Sequence, residues 1–224
     1  MTTLVSYPQL QSESLVACIQ PKIESMINEL VTSLPDPQKL TNKERRGIIA
    51  RYTSVLEGNF IYWMTATYLA VQSEEARPIL LDNLHEEVRD AHPAMLRRFA
   101  IAAGALPTDT DALAVHEDLT NVRLFLGRLS GVQSVVTMAF FEGFIQRFMA
   151  YLADLAAAQG SAEMEYTDVH GVCDIAHTQG LFTALVAEMT VNPLSVGADP
   201  LEGVYLLRTL IQTIIFQRIS ILTA

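Results

Sequence analysis

Helix-breaking and turn-forming residues gather at only four places in this 224-residue chain, namely residues 35–37, 104–110, 159–161 and 192–200. The long segments between them repeat apolar residues at helical intervals, and none alternates polar and apolar residues as a strand does. This pattern predicts an all-α fold, built as a bundle of seven helices.

The expected helices have recognisable starts and interruptions. Thr41 can cap the second helix, and Glu44, three residues later, would complete a capping box. The third helix is expected to be interrupted near Pro93, because proline cannot donate a backbone hydrogen bond. The expected helices span about residues 9–34, 41–72, 74–103, 111–129, 131–159, 161–192 and 201–222.

Composition and charge restrict the classes of function. The chain has 15 Lys and Arg against 25 Asp and Glu, and its formal net charge is −10. Binding to a nucleic-acid backbone needs clustered cations, so nucleic acid is not an expected partner. Half of the residues are hydrophobic, which suits a large buried core, and the length fits a single domain over residues 1–224.

Cysteine content and hydropathy predict a cytoplasmic protein. Cys18 and Cys173 are too few for a disulfide scaffold, and their spacing matches no zinc motif. Residues 1–12 lack the basic and apolar regions of a signal peptide. The most hydrophobic stretch, residues 204–222, contains Arg208, so we expect a buried helix there and no membrane partner. The sequence does not specify the oligomeric state, and a homodimer is the candidate assembly because it is the commonest state of soluble oligomers.

Three side chains of one expected helix carry the clearest chemical signal. His170, Asp174 and His177 are spaced by four and then three residues, which places them on one face of a helix. Their neighbours are mostly apolar, and burying an acid and two imidazoles without a partner is costly. The alternative to metal ligands is that these three residues are core residues that only form hydrogen bonds. A metal ion is the simplest shared partner, and these donors suit iron, manganese or zinc.

Another set of candidate ligands lies on the third expected helix, where Glu86, Glu87 and His92 are close in sequence. The alternative for this charged stretch is a solvated helix face, and that alternative fits Glu86 well. His92 fits it less well, because Pro93 restricts the backbone and apolar residues follow. His92 follows Glu87 by five residues and Glu86 by six, and neither interval places two side chains on one face of a helix. The sequence therefore leaves open whether Glu86 or Glu87 is the ligand.

Two further acids stand among apolar and aromatic neighbours. Glu142 follows Phe140 and Phe141 in the least solvent-like setting of any acid in the chain. Buried glutamate is rare unless it is paired or coordinates a metal, so a buried salt bridge is the alternative. Glu57 has a similar setting and is either an additional ligand or an acid that contacts a ligand. The alternative is a carboxylate that lines the pocket or pairs two helices.

Taken together, these features resemble the haem-oxygenase-like di-iron oxidases. The histidine and aspartate triplet looks like that family's late metal helix, and the Glu86-Glu87 pair with His92 looks like its earlier ligands. Glu142 falls where the family places a third carboxylate. The resemblance implies a seven-helix haem-oxygenase-like bundle with two iron ions that react with O2. The ligands it implies are Glu57, Glu87, His92, Glu142, His170, Asp174 and His177.

The same resemblance implies an oxidation of a small molecule, often an amino acid or a fatty acid. N-hydroxylation, oxidative carbon–carbon cleavage and decarboxylation all occur in the family. By its size the chain looks most like members from natural-product pathways, and the sharpest expectation is conversion of a brominated tryptophan into an indole-3-carbonitrile. Phe60, Trp63 and Phe141 are expected to line the substrate pocket. The candidates for holding a substrate carboxylate are Arg51, Arg89, Arg97 and Arg147.

Three other classes compete with a di-iron oxidase. A thiaminase-II-like hydrolase would use Cys173 as its nucleophile, although that side chain is expected to point away from Asp174. A ferritin-like protein would need two Glu-x-x-His pairs, and no histidine here has a glutamate three residues before it. A helical interaction protein would bind no metal and would pair its buried acids with arginines.

Overall fold

The computed structural model describes residues 7–216, with side chains from residue 12 onward, and these residues form eight helices and no strand. The all-α prediction is therefore confirmed for this part of the chain. The expected extension of the last helix toward Leu222 lies outside the described residues. The helices are α1 (Tyr7–Thr32), α2 (Asn42–Ala70), α3 (Ala76–Arg89), α4 (His92–Ala102), α5 (Asp109–Leu126), α6 (Gly131–Ala157), α7 (Glu165–Val191) and α8 (Glu202–Phe216).

The start of α2 follows the sequence signal closely. Thr41 has an extended backbone and its side chain accepts a hydrogen bond from the Glu44 backbone amide. The Glu44 carboxylate in turn accepts from the Thr41 backbone amide at 2.8 Å. These reciprocal bonds satisfy donors that the first helical turn leaves unpaired, and they confirm the predicted capping box.

The prediction of seven helices was wrong, because the expected third helix is divided into α3 and α4. Ala91 lies between them with φ 55°, in the left-handed region that an L-residue inside a helix does not adopt. Pro93 follows within the first turn of α4, where its missing N–H costs nothing. A continuous helix would instead force the Pro93 ring against the carbonyl of Arg89. The chain therefore turns at Ala91, and His92 can face back toward α3.

The centre of the bundle is α6, where every residue from Gly131 to Ile145 is buried. A helix that is apolar all round must be covered on all sides. Helices α1, α2, α7 and α8 pack against α6 and provide that cover. The only acid in this buried stretch is Glu142, so the fold places one carboxyl group deep inside its core. Among residues 7–216, no helix is both long and apolar enough to span a membrane.

Candidate metal centre

A cavity with an opening to solvent lies among α2, α3, α4, α6 and α7. Apolar side chains form much of its wall, and they include Phe60 and Phe141 of the predicted substrate pocket. Trp63 is fully buried but does not line the cavity; its ring packs edge-on against Phe141, with the ring centroids 5.3 Å apart. Five predicted ligands line this one cavity, namely Glu87, His92, Glu142, His170 and Asp174.

Glu87, His92 and His170 form what we call the first cluster, in which all three residues are buried. Each offers one ligand atom, and these atoms lie within 4.8 Å of one another. Glu87 Oε1 is 2.7 Å from His92 Nδ1 and 3.6 Å from His170 Nε2. The turn at Ala91 creates this contact, because it folds His92 of α4 back against Glu87 of α3.

The orientation of the His170 ring is fixed from outside the first cluster. His170 Nδ1 donates to the backbone oxygen of Tyr166, one turn earlier on α7, at 2.8 Å. A carbonyl oxygen only accepts hydrogen bonds, so Nδ1 carries a proton, and in neutral imidazole Nε2 then has the lone pair that a metal ion needs. Metal-bound histidines are commonly held by such a bond at the other ring nitrogen. The Tyr166 hydroxyl is bonded to the buried Tyr52 hydroxyl at 2.8 Å, which anchors this turn to α2.

Asp174, His177 and Glu142 form what we call the second cluster. His177 Nδ1 is 3.7 Å from Asp174 Oδ1 and 3.7 Å from Glu142 Oε2. Asp174 and His177 are one turn apart on α7, whereas Glu142 comes from the neighbouring α6. The spacing of the sequence triplet therefore gives the expected arrangement along α7, and helix packing adds the second carboxylate.

The second cluster contains two buried carboxylate oxygens that have no hydrogen-bond partner among the described residues. They are Glu142 Oε1 and Asp174 Oδ2, on side chains that are only 3% and 2% exposed. A buried acceptor without a partner is costly, and a bound metal ion is one partner that would satisfy it. Oxygen and imidazole donors together suit iron. The residues present therefore fit a carboxylate- and histidine-bound metal centre.

Burial and neighbouring charges shift the pKa values of two groups in the second cluster. Burial, reinforced by the charge of Asp174, raises the pKa of Glu142 to about 8. Burial acts to lower the pKa of His177, but its contacts with Asp174 and Glu142 outweigh burial and raise it to about 11. Both shifts favour the protonated forms of Glu142 and His177 at neutral pH.

In the first cluster, the pKa of the carboxyl group is shifted in the opposite direction. Burial acts to raise the pKa of Glu87, but the imidazole groups of His170 and His92 outweigh it, and the pKa lies below its ordinary value. A carboxylate held between two imidazoles stays ionised, as a metal ligand must.

The two acids that the sequence could not distinguish have different positions. Glu87 belongs to the buried first cluster, with a side chain 8% exposed. Glu86 is 39% exposed and contacts the opposite edge of His177, where its Oε2 is 2.8 Å from Nε2. Glu86 therefore lies outside the clusters and touches one of their imidazoles from the solvent side.

Glu57 is not brought into either cluster. Its Oε1 is 2.5 Å from Arg97 Nη1, and the side chain is 33% exposed. Its neighbours Leu56, Phe60 and Ile61 line the cavity, so this ion pair lies beside it. The arrangement matches the alternative that Glu57 pairs two helices, here α2 and α4, and a ligand role for Glu57 stays a prediction.

One expectation about Cys173 was wrong. Its Sγ donates to Asp174 Oδ1 at 3.2 Å, so the thiol points toward Asp174 and not away from it. Cys173, Asp174 and His177 each offer one ligand atom within 4.8 Å of one another. Adjacent residues on a helix differ by about 100° in direction, which suggested opposite faces, but the short Cys173 side chain rotates back toward the carboxylate.

Sequence reasoning did not find the roles of Tyr166 and Glu188. Tyr166 lies four residues before His170, and that spacing is the only sequence signal for its contact with the ring. Glu188 is a fully buried acid like Glu142, but its Oε2 accepts from the backbone amides of Gln72 and Ser73. Both glutamates follow apolar residues, so only the tertiary structure separates a structural acid from a candidate ligand.

Comparison with known proteins identifies the family. Residues 49–206, more than half of the chain, match the family described as iron-containing redox enzyme. The matched segment includes every residue of both clusters. No curated protein matches the chain in sequence. On the family match, this chain belongs to the iron-containing redox enzymes, and it is an oxidoreductase with an all-helical fold.

Proposed function

We propose that this chain is an O2-dependent, non-haem di-iron oxidase that acts on a small organic substrate. The observation that carries the proposal is the meeting of two carboxylate–histidine clusters at one cavity, with Glu142 Oε1 and Asp174 Oδ2 buried and unpaired. A haem would need a large flat slot and an axial ligand, whereas here acids and imidazoles crowd together on several helices. Bundles of this kind hold two irons with carboxylates and histidines from facing helices.

The ligands divide into two sets. Glu87, His92 and His170 would hold one iron, and Asp174 with His177 would hold the other. Glu142 comes from the central helix α6 and lies against the second set, at 3.7 Å from His177 Nδ1. When bound, two ferrous ions would supply electrons and a binding site for O2.

The chain's own residues orient the site and keep water away from it. The backbone oxygen of Tyr166 holds His170 with Nε2 turned toward Glu87. Phe60, Phe141 and Leu96 form apolar wall, so a bound substrate would displace water from the clusters. The proton that Glu142 holds in the metal-free chain must leave when Glu142 becomes a ligand.

We further propose an amino-acid-type substrate, with the nitrile-forming reaction of a brominated tryptophan as the first to test. The aromatic wall of Phe60 and Phe141 supports an indole ring as one occupant. None of the candidate arginines lines the cavity among the described residues, although Arg97 on α4 lies close to it. A fatty-acid substrate for decarboxylation is the alternative within the same chemistry. The homodimer and the cytoplasmic location stay predictions, the first of which light scattering of the purified chain tests.

A metal-free hydrolase that uses Cys173 is the competing function. Burial, reinforced by the charge of Asp174, raises the pKa of the Cys173 thiol. A nucleophilic cysteine needs the opposite, a cationic setting that favours the thiolate. The contact between Cys173 and Asp174 therefore favours the oxidase over the hydrolase.

The deciding experiment is an anaerobic titration of the metal-free chain with Fe2+, followed by Mössbauer spectroscopy and exposure to O2. We expect about two irons per chain and iron oxidation on exposure to O2. O2 consumption is then measured with amino acids, halogenated tryptophans and fatty acids. An absence of iron binding would contradict the proposal and favour an interaction protein. Binding of about one iron would contradict the two-iron centre.

A further inference from the structure

Two consecutive acids on α3, Glu86 and Glu87, contact the imidazoles of different histidines. Glu87 contacts His92 and His170 of the first cluster, with Oε1 2.7 Å from His92 Nδ1. Glu86 contacts His177 of the second cluster, with Oε2 2.8 Å from Nε2. Consecutive residues on a helix point about 100° apart, so one turn of α3 reaches both clusters.

His177 lies between Glu86 on its outer edge and two buried carboxylates on its inner edge. Its Nε2 faces Glu86, and its Nδ1 is 3.7 Å from both Asp174 Oδ1 and Glu142 Oε2. An ionised carboxylate only accepts hydrogen bonds, so the ring nitrogen next to Glu86 must carry a proton. In neutral imidazole, the other nitrogen then keeps its lone pair, and here that nitrogen is Nδ1.

The two histidines of α7 are therefore oriented through opposite nitrogens. His170 has its Nδ1 bonded to the Tyr166 carbonyl, which leaves Nε2 toward Glu87. His177 has its Nε2 bonded to Glu86, which leaves Nδ1 toward Asp174 and Glu142. The backbone carbonyl of Tyr166 orients the histidine of the first cluster, whereas the partly exposed side chain of Glu86 orients the histidine of the second.

We propose that Glu86 is a positioning residue that fixes the His177 ring by accepting from Nε2–H, so that His177 binds metal through Nδ1. This inference rests on the proposed function, since it concerns the second metal position. Outer partners of metal-bound histidines typically change metal affinity about 10- to 100-fold when they are removed. Glu86 therefore determines occupancy of one metal position without itself being a ligand.

The ring nitrogen that binds metal is tested by NMR of protein with 15N-labelled histidine and Zn2+ as a diamagnetic probe. We expect the metal-dependent shift of His177 on Nδ1, with a proton retained on Nε2, and the reverse pattern for His170. A metal-dependent shift on Nε2 of His177 would overturn the proposal. Assignment uses the spectra of the His177→Gln and His170→Gln variants.

The positioning role is tested with Glu86→Ala, Glu86→Gln and the control Asp82→Ala. Asp82 is an exposed acid one turn earlier on α3, so its removal changes the net charge equally. In anaerobic Fe2+ titrations, we expect Glu86→Ala to weaken one of the two irons about 10- to 100-fold and to leave the other unchanged. Glu86→Gln should recover part of the loss, because its amide oxygen still accepts from Nε2–H. Asp82→Ala should resemble the unmodified chain.

Two outcomes separate failure of this inference from failure of the proposed function. If the unmodified chain takes up about two irons and Glu86→Ala binds both with unchanged affinity, only the positioning role is overturned. If the unmodified chain takes up no metal, the proposed function fails and the positioning role fails with it. Thermal unfolding of the metal-free variants shows whether each is folded, and Glu86 is exposed enough for a folded variant to be expected.

Discussion

The Glu142 carboxyl group faces the His177 imidazole inside the bundle, with Oε2 3.7 Å from Nδ1 and with Oε1 unpaired. The two groups come from different helices, α6 and α7, which pack along their length. Glu142, which is buried among aromatic residues, thus lies next to the His177 imidazole and close to Asp174. The second cluster consequently holds more protons in the folded chain than its groups would hold in water.

This excess of protons makes the stability of the metal-free chain depend on pH. Burial, followed by the charge of Asp174, raises the pKa of Glu142 from 4.5 to about 8. Burial acts to lower the pKa of His177, but contacts with Asp174 and Glu142 raise it from 6.5 to about 11. For a group with a raised pKa, the folded state binds more protons than the unfolded state, so stability falls as pH rises.

Between pH 6.5 and 8, we therefore expect the free energy of unfolding of the metal-free chain to decrease. The slope is at most about 1.4 kcal/mol per pH unit for each proton of difference. Glu142→Gln removes one titrating group and should give a shallower slope, measured by urea denaturation across this range. A slope that Glu142→Gln leaves unchanged would show that Glu142 does not titrate as described.

Iron binding should depend on His92 and not on His85. His92 is buried in the first cluster, whereas His85 on the same α3–α4 segment is exposed. We expect His92→Ala to lose about one iron per chain, because it removes one of three ligands of that cluster. His85→Ala is the matched control and should keep the full iron content in the same anaerobic titration. Equal iron content in the two variants would argue against the first cluster as a metal position.

The ion pair between Glu57 and Arg97 allows the ligand role of Glu57 to be tested. Glu57→Gln and Arg97→Gln both break this pair, but only the first removes the Glu57 carboxylate. A partly exposed pair contributes at most about 1 kcal/mol, so both variants should fold with similar stability. If Glu57 binds iron, as predicted from the resemblance, Glu57→Gln alone should weaken iron binding. Equal iron affinity in the two variants would limit Glu57 to joining α2 and α4.

Replacement of Cys173 distinguishes the oxidase from the thiol-dependent hydrolase. Cys173→Ser keeps a hydrogen-bond donor next to Asp174, where Cys173 Sγ now donates at 3.2 Å. We expect the iron stoichiometry and O2 consumption to remain within about twofold of the unmodified chain, because Cys173 is not needed as a ligand. Loss of all activity with unchanged metal content would instead support a cysteine nucleophile.

Glu188 should stabilise the fold without affecting iron binding. Its Oε2 accepts from the Gln72 and Ser73 backbone amides in the α2–α3 connection, and its Oε1 accepts from Asn192 Nδ2. Glu188→Gln would place an amide NH2 against backbone donors or against Asn192, which should cost about 1–3 kcal/mol in chemical denaturation. Iron content should not change. A loss of iron comparable with that expected for His92→Ala would contradict this separation of roles.

The sequence by itself determined the helical elements and part of the site. Periodic apolar residues define the helices, and local hydrogen bonds at Thr41 and Glu44 define where α2 begins. The spacing of His170, Asp174 and His177 is a property of one helix, so their common direction could be predicted before any packing was known. The family match over residues 49–206 supports the predicted oxidoreductase at the level of an iron-containing redox enzyme.

The tertiary structure determined which residues of different helices contact each other. The left-handed turn at Ala91 brought His92 to Glu87, although a five-residue interval fits no continuous helix. Packing of α6 on α7 placed Glu142 at His177, whereas the equally buried Glu188 met backbone amides instead. Spacing along one helix follows from its fixed geometry, but a distance between helices depends on how all of their side chains pack together. For that reason, sequence spacing predicted which residues share a face, and only packing determined which faces meet.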